Sequence, residues 1–506
     1  MVPDDSGIAG LMRDAVARLR ARQFAQAELL LRQASARQPS NPDVQYALGV
    51  ALARQGKLAE AASHLEEAVR TAPGNPDHWK TALDVLKALG DQEGQARLHR
   101  ERIGLQPGNA VAHHRYGNLL REINRLGEAE AAWRAALAAD PNFAPAHTNL
   151  GVAAKLRGDL KGAEQSFRAV LALAPESAAA HRNLGTVLEQ TGDLAGAERA
   201  YRRTLAIEPD DPDARRYLGG VLCEQGRLAE AFGIFMEHAR RRYGAVAPPA
   251  GPVAEHKRAH DREQQAWLGD PGRDLNRLSI MGGERLAGST INRPEGQATE
   301  NLWKASHPPV VVVDDFLTPA ALEALRRFCL GSTIWRESFP GGYLGALPEH
   351  GFAVPLLAQL GEELAASYPG IFAGHPLLQL WAFKYGKTPT GIRLHADFAA
   401  VNVNFWITPD RANRDPDRGG LVIWDKAAPQ DWDFEKYNND EGAIRSFLKQ
   451  SGAKSTAVPY RENRAVIFDS DLFHETDKID FAEGYENRRI NITLLYGWRG
   501  GAKRTD

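Results

Sequence analysis

Apolar residues follow two different patterns in the two halves of the chain. From residue 8 to about 245 they define pairs of amphipathic helices, in units that recur every 34 positions. From Leu377 onward the pattern changes to short strands separated by turn residues. The predicted strands are 378–385, 393–397, 401–407, 420–424, 456–460, 464–468 and 489–496. Several short strands in one region are typical of a sandwich or a barrel.

Proline and glycine mark the period of the first half. The prolines that end successive units lie 34 residues apart, at Pro39, Pro73, Pro107, Pro141, Pro175 and Pro209. Glycines recur with the same 34-residue spacing at Gly117, Gly151, Gly185 and Gly219. We expect the two helices of a unit to cross closely at these positions. One unit cannot bury its apolar face alone, so neighbouring units must stack into a solenoid. This register resembles the tetratricopeptide repeat, with about seven units.

The resemblance to tetratricopeptide repeats implies a protein or peptide partner. In some of these proteins, asparagines on the first helix of adjacent units line a groove and hold a peptide backbone. Asn149 and Asn183 occupy such equivalent positions, although ordinary exposure on a helix is the simpler interpretation of only two residues. A series of histidines with the same spacing is interpreted as structural rather than metal-binding: His113, His147 and His181.

Alternation along the predicted strands decides which side chains share a face. His395 and Asp397 are two residues apart, so both should point the same way. The polar face of the strand 401–407 carries Asn402, Asn404 and Trp406. The last strand places Arg489, Asn491 and Thr493 opposite an apolar face. Each strand therefore has one side for the core and one side suited to a charged ligand at a barrel mouth.

Three C-terminal segments carry a more specific resemblance. LHADF, RAVIFDSDLFHET and RRINITLLYG resemble the double-stranded β-helix of the iron(II)- and 2-oxoglutarate-dependent oxygenases, in particular the prolyl hydroxylase-like branch. The segment VVVVDDFLTPAALEAL matches that branch too, and the resemblance covers roughly residues 309 to 498. We therefore expect a multidomain chain: an all-α tetratricopeptide solenoid (1–245), a linker with a helix (246–306) and a jelly-roll oxygenase domain with flanking helices (307–506).

The oxygenase resemblance implies a role for each polar residue. His395, Asp397 and His474 would be the catalytic ligands of Fe(II), leaving coordination sites for 2-oxoglutarate and O2. Arg489 would bind the far carboxylate of 2-oxoglutarate, because a guanidinium is planar and permanently charged. Its neighbour Arg488 shares the apolar face and is expected near the surface. Further assignments are cosubstrate contacts from Tyr385 and Thr493, and a substrate side lined by Asn402, Asn404 and Trp406.

Each of these residues alone has a simpler structural explanation, and only the ordered set on short strands favours an iron site. A polar and aromatic insert at 425–455 fits equally well with a surface excursion and with a lid over the substrate.

Composition excludes several other classes of protein. Lys+Arg (62) and Asp+Glu (64) nearly balance, so no bulk charge favours nucleic acid or an anionic membrane as a partner. Cys223 and Cys329 are the two cysteines, which cannot form a disulfide framework. The apolar runs are too short to span a bilayer, and the N-terminus lacks the apolar core of a signal peptide. A cytoplasmic protein is expected.

Three functions remain open from the sequence. The leading hypothesis is a 2-oxoglutarate-dependent dioxygenase that hydroxylates an unactivated C–H of a protein or peptide side chain recruited by the repeats. The first alternative is an oxygenase of a small metabolite or natural-product precursor, whose repeats mediate assembly. The second is an interaction scaffold with an inactive oxygenase domain, which the complete set of expected ligands argues against.

Overall fold

A computed structural model of the chain describes residues 5–244, 253–292, 296–386 and 391–501. The chain divides into two compact units, Met1–Ala180 and His181–Asp506, which are described separately. The expected domain boundary at residue 245 falls inside the second unit, and the linker residues 245–252 lie outside the described residues. Within the described part of the chain, every helix is too short or too polar to cross a membrane.

Paired helices build the described part of the first unit. Their bounds are α1 (Asp5–Arg20), α2 (Phe24–Arg37), α3 (Pro42–Ala53), α4 (Leu58–Thr71), α5 (Pro76–Leu89), α6 (Gln92–Leu105), α7 (Ala110–Glu122), α8 (Leu126–Ala139), α9 (Ala144–Leu156) and α10 (Leu160–Leu173). The turns within pairs need a left-handed backbone. Gly90 and Gly158 supply it with φ of 76° and 75°, and Asn124 fills the equivalent position with φ of 62°.

Two periodic contacts hold the repeats together. Paired helices approach closely at the glycines, where a Cβ on Gly151 would lie 2.8 Å from the Phe167 ring. In addition, the side chain six residues after each repeat proline bonds to that proline's carbonyl. Trp79 Nε1 donates to Pro73 at 2.8 Å, and the same bond is made by Gln45 to Pro39, His113 to Pro107 and His147 to Pro141. These histidines therefore serve the repeat structure.

The second unit begins within the repeats and continues into a mixed region. Its helices are α11 (Ala178–Gln190), α12 (Leu194–Ile207), α13 (Pro212–Glu224), α14 (Leu228–Tyr243), α15 (Glu255–Leu268), α16 (Gly296–Ala305), α17 (Pro319–Gly331), α18 (Pro355–Ser367), α19 (Pro369–Phe372) and α20 (Glu441–Gln450). Its strands are β1 (Val310–Val313), β2 (Glu337–Phe339), β3 (Tyr343–Ala346), β4 (Leu377–Tyr385), β5 (Ala399–Trp406), β6 (Leu421–Ala427), β7 (Ser455–Val458), β8 (Ala465–Asp469), β9 (Leu472–Thr476) and β10 (Ile490–Trp498).

The strands form two antiparallel sheets. The larger sheet has the order β1-β8-β5-β10-β4-β3-β2, and the smaller sheet has the order β7-β6-β9. One apolar cluster joins them, with Trp406, Val466 and Phe468 from the larger sheet and Leu421, Ile423, Val458 and Leu472 from the smaller. The core of this region therefore lies between the two sheets, and it fixes how their polar residues face each other.

The strand prediction is wrong at two places that matter for the site. Residues 393–397 do not form a strand. They make one isolated bridge, between His395 and His474, because Ala396 instead donates its backbone N–H to Tyr437 of the insert at 3.0 Å. Strand β9 was not predicted, since only Ser470 and Asp471 separate it from β8. The short strands β2 and β3 were also missed.

Repeat helices pack directly on the sheet region, which explains the position of the second unit's boundary. Helix α13 contacts β4, and α14 contacts α18 and the turn Pro348–His350. A Cβ on Gly361 of α18 would lie 3.0 Å from both Leu228 of α14 and Leu377 of β4. The repeat register continues to α14 as predicted, but its last helices share a core with the sheets.

Candidate metal centre

Three side chains of the second unit converge at one end of the sheets. His474 lies on β9, while His395 and Asp397 precede β5. The backbone bridge between the two histidines consists of two N–H···O bonds, of 3.0 and 2.8 Å. His395 Nε2 lies 3.7 Å from Asp397 Oδ1, and His474 Nε2 lies 3.5 Å from Asp397 Oδ2. One potential ligand atom from each residue therefore lies within 4.8 Å of the others.

Hydrogen bonds on the far side of His395, Asp397 and His474 orient these three side chains toward one another. Nδ1 of His395 is 2.8 Å from the Arg393 carbonyl, and Nδ1 of His474 is 3.0 Å from the Leu472 carbonyl. With Nδ1 donating to a carbonyl, Nε2 of each ring presents a lone pair to the site. Asn402 Nδ2 donates to Asp397 Oδ2 at 2.7 Å and fixes the carboxylate.

The electrostatic setting favours a neutral imidazole at His474. Burial, together with the nearby His395, lowers the pKa of His474 to about 4. The His474 ring is therefore neutral near pH 7, as a metal ligand must be. Two imidazoles and one carboxylate on one side of a cavity suit a divalent transition metal, and they match the donor set of non-haem Fe(II) sites.

Beside His395, Asp397 and His474 lies a polar floor built from β5 and β10. Asn404 Nδ2 and Asn491 Nδ2 donate to Thr493 Oγ1, at 3.1 and 3.2 Å. The Oδ1 atoms of Asn402, Asn404 and Asn491 are buried and have no hydrogen-bond partner among the described residues. Since buried polar groups in folded proteins are nearly always satisfied, this cluster is suited to a polar ligand.

Arg489 is buried at the start of β10, with 1% of its surface exposed. Its Nε donates to the Gly419 carbonyl at 2.8 Å. One of its two terminal nitrogens, Nη1, has no hydrogen-bond partner within the described chain. The guanidinium lies 4.7 Å from the centre of the Tyr385 ring and 5.6 Å from that of Trp406. Burial lowers the pKa of Arg489, but a guanidinium stays charged. Arg489 thus offers one unsatisfied donor on a buried cation.

Two sequence-based expectations are corrected by the structure. Arg488 is not near the surface: it is buried, and its Nε donates to Glu263 of α15 at 2.8 Å. Helix α15 covers this side of β10, which local alternation did not reveal. Trp406 does not line the substrate side. It is fully buried in the cluster between the sheets, because β5 ends there, and its Nε1 is unsatisfied among the described residues.

The site opens into a cavity of about 730 Å³. His395, Asp397 and His474 line it together with the predicted residues Tyr385, Thr493, Asn402 and Asn404. Tyr385 Oη lies 3.4 Å from Thr476 Oγ1 on the same wall. Sequence reasoning assigned no role to Thr476 and Asn491, although Asn491 shares the polar face of Arg489. Arg393, Asn438 and Asn439 also line the cavity without having been assigned a role, whereas Phe434 belongs to the insert that was considered as a lid.

The insert 425–455 borders the cavity and supports the ligand segment. Its Phe434, Asn438 and Asn439 line the cavity. Asn438 Nδ2 donates to the Ala396 carbonyl at 2.9 Å, between His395 and Asp397. An apolar cluster joins the insert to residues flanking His395 and His474, with Leu394, Ala396, Phe473, Tyr437, Ile444 and Leu448 as members. The insert is thus part of the site's wall.

The two asparagines considered for a repeat groove differ in setting and are described unit by unit. Asn149, in the first unit, already donates to Asn118 Oδ1 at 2.7 Å and lies 3.0 Å from His114 Nε2. Asn183, in the second unit, is half-buried on α11. The Asn149 contacts support the simpler interpretation of a structural polar residue.

Comparison with known proteins identifies the repeats. The family model for the tetratricopeptide repeat matches residues 13–76, 116–178, 157–212 and 182–246. The chain is therefore an all-helical tetratricopeptide solenoid followed by an antiparallel β-sheet region. No curated protein sequence matches it.

Solved structures with similar repeats include the MamA protein, at 23% identity over 34% of this chain and 96% of that chain, with a TM-score of 0.31. A tetratricopeptide repeat protein from Parabacteroides merdae is 18% identical over 46% of this chain and 92% of its own, with a TM-score of 0.31. YrrB, described as a TPR protein with an unusual peptide-binding site, is 17% identical over 36% and 95%, with a TM-score of 0.30.

Proposed function

We propose that this chain is an iron(II)- and 2-oxoglutarate-dependent dioxygenase that hydroxylates a side chain of a protein or peptide. The observation that carries the proposal is the convergence of His395, Asp397 and His474, with ligand atoms within 4.8 Å of one another, at the mouth of a cavity with a polar floor. The two facing antiparallel sheets support a double-stranded β-helix as the scaffold.

The unsatisfied buried donors fit the cosubstrate. A dicarboxylate needs a cation at its far end, and Arg489 Nη1 is a buried cationic donor without a partner in the described structure. The Tyr385 and Thr493 hydroxyls line the cavity beside His395, Asp397 and His474, and the Arg489 guanidinium lies behind this lining, 4.7 Å from the centre of the Tyr385 ring. These hydroxyls are suited to the same carboxylate as Arg489. Trp406 Nε1 is a further unsatisfied donor near the Arg489 guanidinium. We assign these groups to 2-oxoglutarate rather than to the substrate.

The residues of this chain would divide the work as follows. Bound Fe(II), with 2-oxoglutarate and O2, supplies the oxidation of an unactivated C–H and forms succinate and CO2. His395, Asp397 and His474 hold the metal, and the carbonyls behind the two rings keep Nε2 directed at it. Asn402 holds the Asp397 carboxylate in place. The insert residues Asn438 and Phe434 would form one wall beside the reacting centre.

A polypeptide substrate is favoured by the repeats. Tetratricopeptide repeats generally bind proteins or peptides, and here their last helices pack directly against β4 and α18 of the sheet region. A small-molecule oxygenase would need no such surface next to its cavity. The proposal therefore ranks a polypeptide above a metabolite.

Succinate production tests the enzymatic part of the proposal. The full chain is incubated with Fe(II), 2-oxoglutarate and O2, and succinate is measured alongside a parallel reaction without metal. Asp397→Ala should abolish succinate, while the exposed Asp431→Ala should leave it unchanged. Metal content of both variants is measured after dialysis against Fe(II). A chain that retains metal and 2-oxoglutarate yet forms no succinate with any substrate offered would contradict the proposal and favour an inactive scaffold.

Substrate capture tests the polypeptide part. His474→Ala serves as bait, and captured polypeptides are analysed by mass spectrometry before and after treatment with the active chain. Polypeptides that gain one oxygen atom support the proposal. Oxidation of metabolites alone would favour the small-molecule alternative.

A further inference from the structure

Arg393 lies on the same side of its segment as two of the candidate metal ligands. Arg393, His395 and Asp397 line the metal-centre cavity, whereas Leu394 and Ala396 between them pack in the apolar cluster with the insert. All of these residues belong to the second compact unit. A backbone advances at most about 7 Å over two residues, so the Cα atoms of Arg393 and His395 lie within that distance of each other.

Hydrogen bonds hold the backbone around Arg393 in place. The Arg393 carbonyl lies 2.8 Å from His395 Nδ1 and accepts its proton. The preceding residue, Ile392, donates its backbone N–H to Thr476 Oγ1 at 3.1 Å, and the Thr476 N–H donates to the Ile392 carbonyl at 3.1 Å. The base of the Arg393 side chain is therefore fixed relative to the candidate metal centre.

The Arg393 guanidinium is unpaired in the described structure. The side chain is exposed and forms no hydrogen bond or ion pair with any described residue. Four other arginines of the sheet region each have a carboxylate partner: Arg326 with Glu462, Arg445 with Glu475, Arg464 with Asp314 and Arg488 with Glu263. Arg393 differs from these four in facing a cavity instead of a carboxylate.

The cavity lining supplies no counter-ion for Arg393. Outside the three candidate ligands, Arg393 is the one charged side chain among the described lining residues. Burial raises the pKa of Tyr343 on the same lining to about 12, so this phenol stays neutral near pH 7. Fe(II) and Arg489 would carry as much positive charge as Asp397 and 2-oxoglutarate carry negative charge. A site loaded with both therefore leaves the charge of Arg393 to the substrate.

The neighbouring lining residues favour a carboxylate at Arg393 over other polar groups. The insert amides Asn438 and Asn439 already donate to the Ala396 carbonyl and to Glu435, at 2.9 and 2.8 Å. Aromatic rings also stand in the lining: Phe339, Trp381, Phe383, Phe398 and Phe434. A basic substrate residue would be repelled by Arg393, whereas a carboxylate can accept two parallel hydrogen bonds from the planar guanidinium.

We propose that Arg393 binds a carboxylate of the polypeptide substrate while a nearby residue of that polypeptide is oxidised at the metal. This inference rests on the proposed function, because it names the substrate class of the same site. An extended substrate advances about 3.3–3.6 Å per residue, so the carboxylate should stand within about three residues of the oxidised one. It can belong to an Asp or Glu side chain or to the C-terminus of the polypeptide.

Three libraries of randomised short peptides test this inference with the full chain. The first has Asp or Glu fixed at a central position and an amidated C-terminus. The second has Asn or Gln there and the same amide, and the third differs from the second in its free C-terminal carboxylate. Each is incubated with Fe(II), 2-oxoglutarate and O2, and peptides that gain one oxygen atom are sequenced by mass spectrometry. Succinate is measured in the same reactions.

We expect the first library to be oxidised about fivefold more than the second, the order expected for an ion pair at a partly exposed site. A gain of the same size in the third library would assign the carboxylate to the C-terminus instead. Retention provides a measure of binding without turnover. The full chain is immobilised with Fe(II) and 2-oxoglutarate under nitrogen, and the retained peptides should show the same preference.

Charge variants connect the preference to Arg393. The measured quantity is the ratio of acidic to neutral peptides oxidised, so that a general loss of activity cancels. Arg393→Gln should bring this ratio close to one, and Arg393→Glu should favour the neutral library. The exposed Arg411→Gln, at a residue outside the cavity lining, is the matched control and should keep the ratio of the parent chain. If one Arg393 variant does not fold, the other still reports the ratio.

The outcomes separate this inference from the proposed function. Oxidised peptides without an acidic preference, or a preference that survives both Arg393 variants, would overturn the inference alone. A raised KM for 2-oxoglutarate in Arg393→Gln with the acidic preference intact would place Arg393 at the cosubstrate and overturn it too. Succinate without any oxidised peptide would also overturn it and favour a small-molecule substrate. Absence of both succinate and oxidation would contradict the proposed function itself.

Discussion

Unsatisfied polar atoms are the most informative feature at the scale of single residues. Arg489 Nη1, Trp406 Nε1 and three asparagine Oδ1 atoms are buried without hydrogen-bond partners in the described structure. Leaving such groups unpaired costs about 1–3 kcal/mol each, so a fold keeps them together only where something compensates. The three asparagines line the cavity that holds the candidate metal ligands, and the Arg489 guanidinium lies 4.7 Å from the ring of Tyr385 in the same lining. We therefore expect a polar ligand in this cavity to satisfy them.

Arg489→Lys should raise the KM for 2-oxoglutarate by about tenfold or more. A tenfold change corresponds to a loss of about 1.4 kcal/mol of binding free energy. Lysine keeps the charge but loses the planar fork, and it cannot bond the Gly419 carbonyl and a carboxylate in the same geometry. Steady-state succinate formation gives the KM, and equilibrium dialysis gives the Fe(II) affinity, which should not change. The exposed Arg461→Lys is the control. An unchanged KM would remove Arg489 from the cosubstrate site.

Lys384→Met should stabilise the protein and remove part of its pH dependence. Lys384 is fully buried, its Nζ has no hydrogen-bond partner among the described residues, and it lies 3.5 Å from the centre of the Tyr485 ring. Burial lowers the pKa of Lys384 well below its ordinary value. The unfolded chain therefore binds more protons below about pH 10.4, and stability from this group rises with pH.

Methionine fills a similar volume without a charge to desolvate. Denaturant unfolding at several pH values between neutral and alkaline should show a higher free energy of unfolding for Lys384→Met near neutrality and a shallower rise with pH. The exposed Lys304→Met should keep the parent slope. A destabilised Lys384→Met variant would mean that the contact with Tyr485 outweighs the desolvation of the amine.

At the scale of elements, the alternation of polar and apolar residues predicted which side chains share a strand face. It did not predict the contacts made by elements distant in the sequence. The pattern of β5 gave one polar face to Asn402 and Asn404, and both line the cavity. The same pattern misplaced Trp406, since alternation does not tell where a strand enters the core. Arg488 was expected near the surface, but Glu263, 225 residues earlier, covers it. No local pattern contains such a contact.

Gly219→Ala should destabilise the last repeat, although alanine is the better helix former. A Cβ at Gly219 would lie 2.5 Å from Phe235 Cζ, so the helices α13 and α14 would have to separate. We expect a loss of about 1–3 kcal/mol. Gly220→Ala is the adjacent control, because a Cβ there meets nothing within 4 Å. It should gain about 0.5–1 kcal/mol from helix propensity. Thermal unfolding of both variants measures the contrast, and equal effects would refute the close-crossing explanation.

Ile444→Ala should loosen the insert and weaken metal binding. Ile444 is fully buried in the cluster that joins α20 to Leu394 and Ala396, so its truncation should cost about 2–5 kcal/mol locally. The bond from Asn438 to the Ala396 carbonyl depends on this support. Hydrogen exchange across 428–453 should increase, and Fe(II) affinity should fall. Lys449→Ala, on the exposed face of the same helix, is the control. Faster hydrogen exchange with an unchanged Fe(II) affinity would mean that the insert covers the site without supporting the metal-binding residues.

At the scale of the whole chain, the repeat register and the compact units give different boundaries. The 34-residue period runs without interruption to α14, so the sequence alone places the domain boundary at 245. The contacts place it at residue 181, because α13 and α14 bury side chains against β4 and α18. Periodicity reports how a segment folds locally. It does not report which repeat has a second partner on its other face, and Leu228 of α14 next to Gly361 of α18 is a contact of that kind.

Two truncations turn this difference into a measurement. A chain of residues 174–506 keeps α11 with its Ser177 cap and all later elements, whereas a chain of residues 246–506 removes the helices that cover β4 and α18. The shorter chain would expose apolar side chains such as Leu377, which is 2% exposed in the full structure, and Tyr243 would no longer pack against Arg336. An exposed patch of this kind favours aggregation.

We expect 174–506 to melt cooperatively and to form succinate at a rate comparable with the full chain. The chain 246–506 should aggregate or melt without a cooperative transition. Size-exclusion chromatography and calorimetry of both chains, with succinate assays on the soluble fractions, make the comparison. If 246–506 folds and forms succinate as well as 174–506 does, the last repeats are dispensable for the fold of the site.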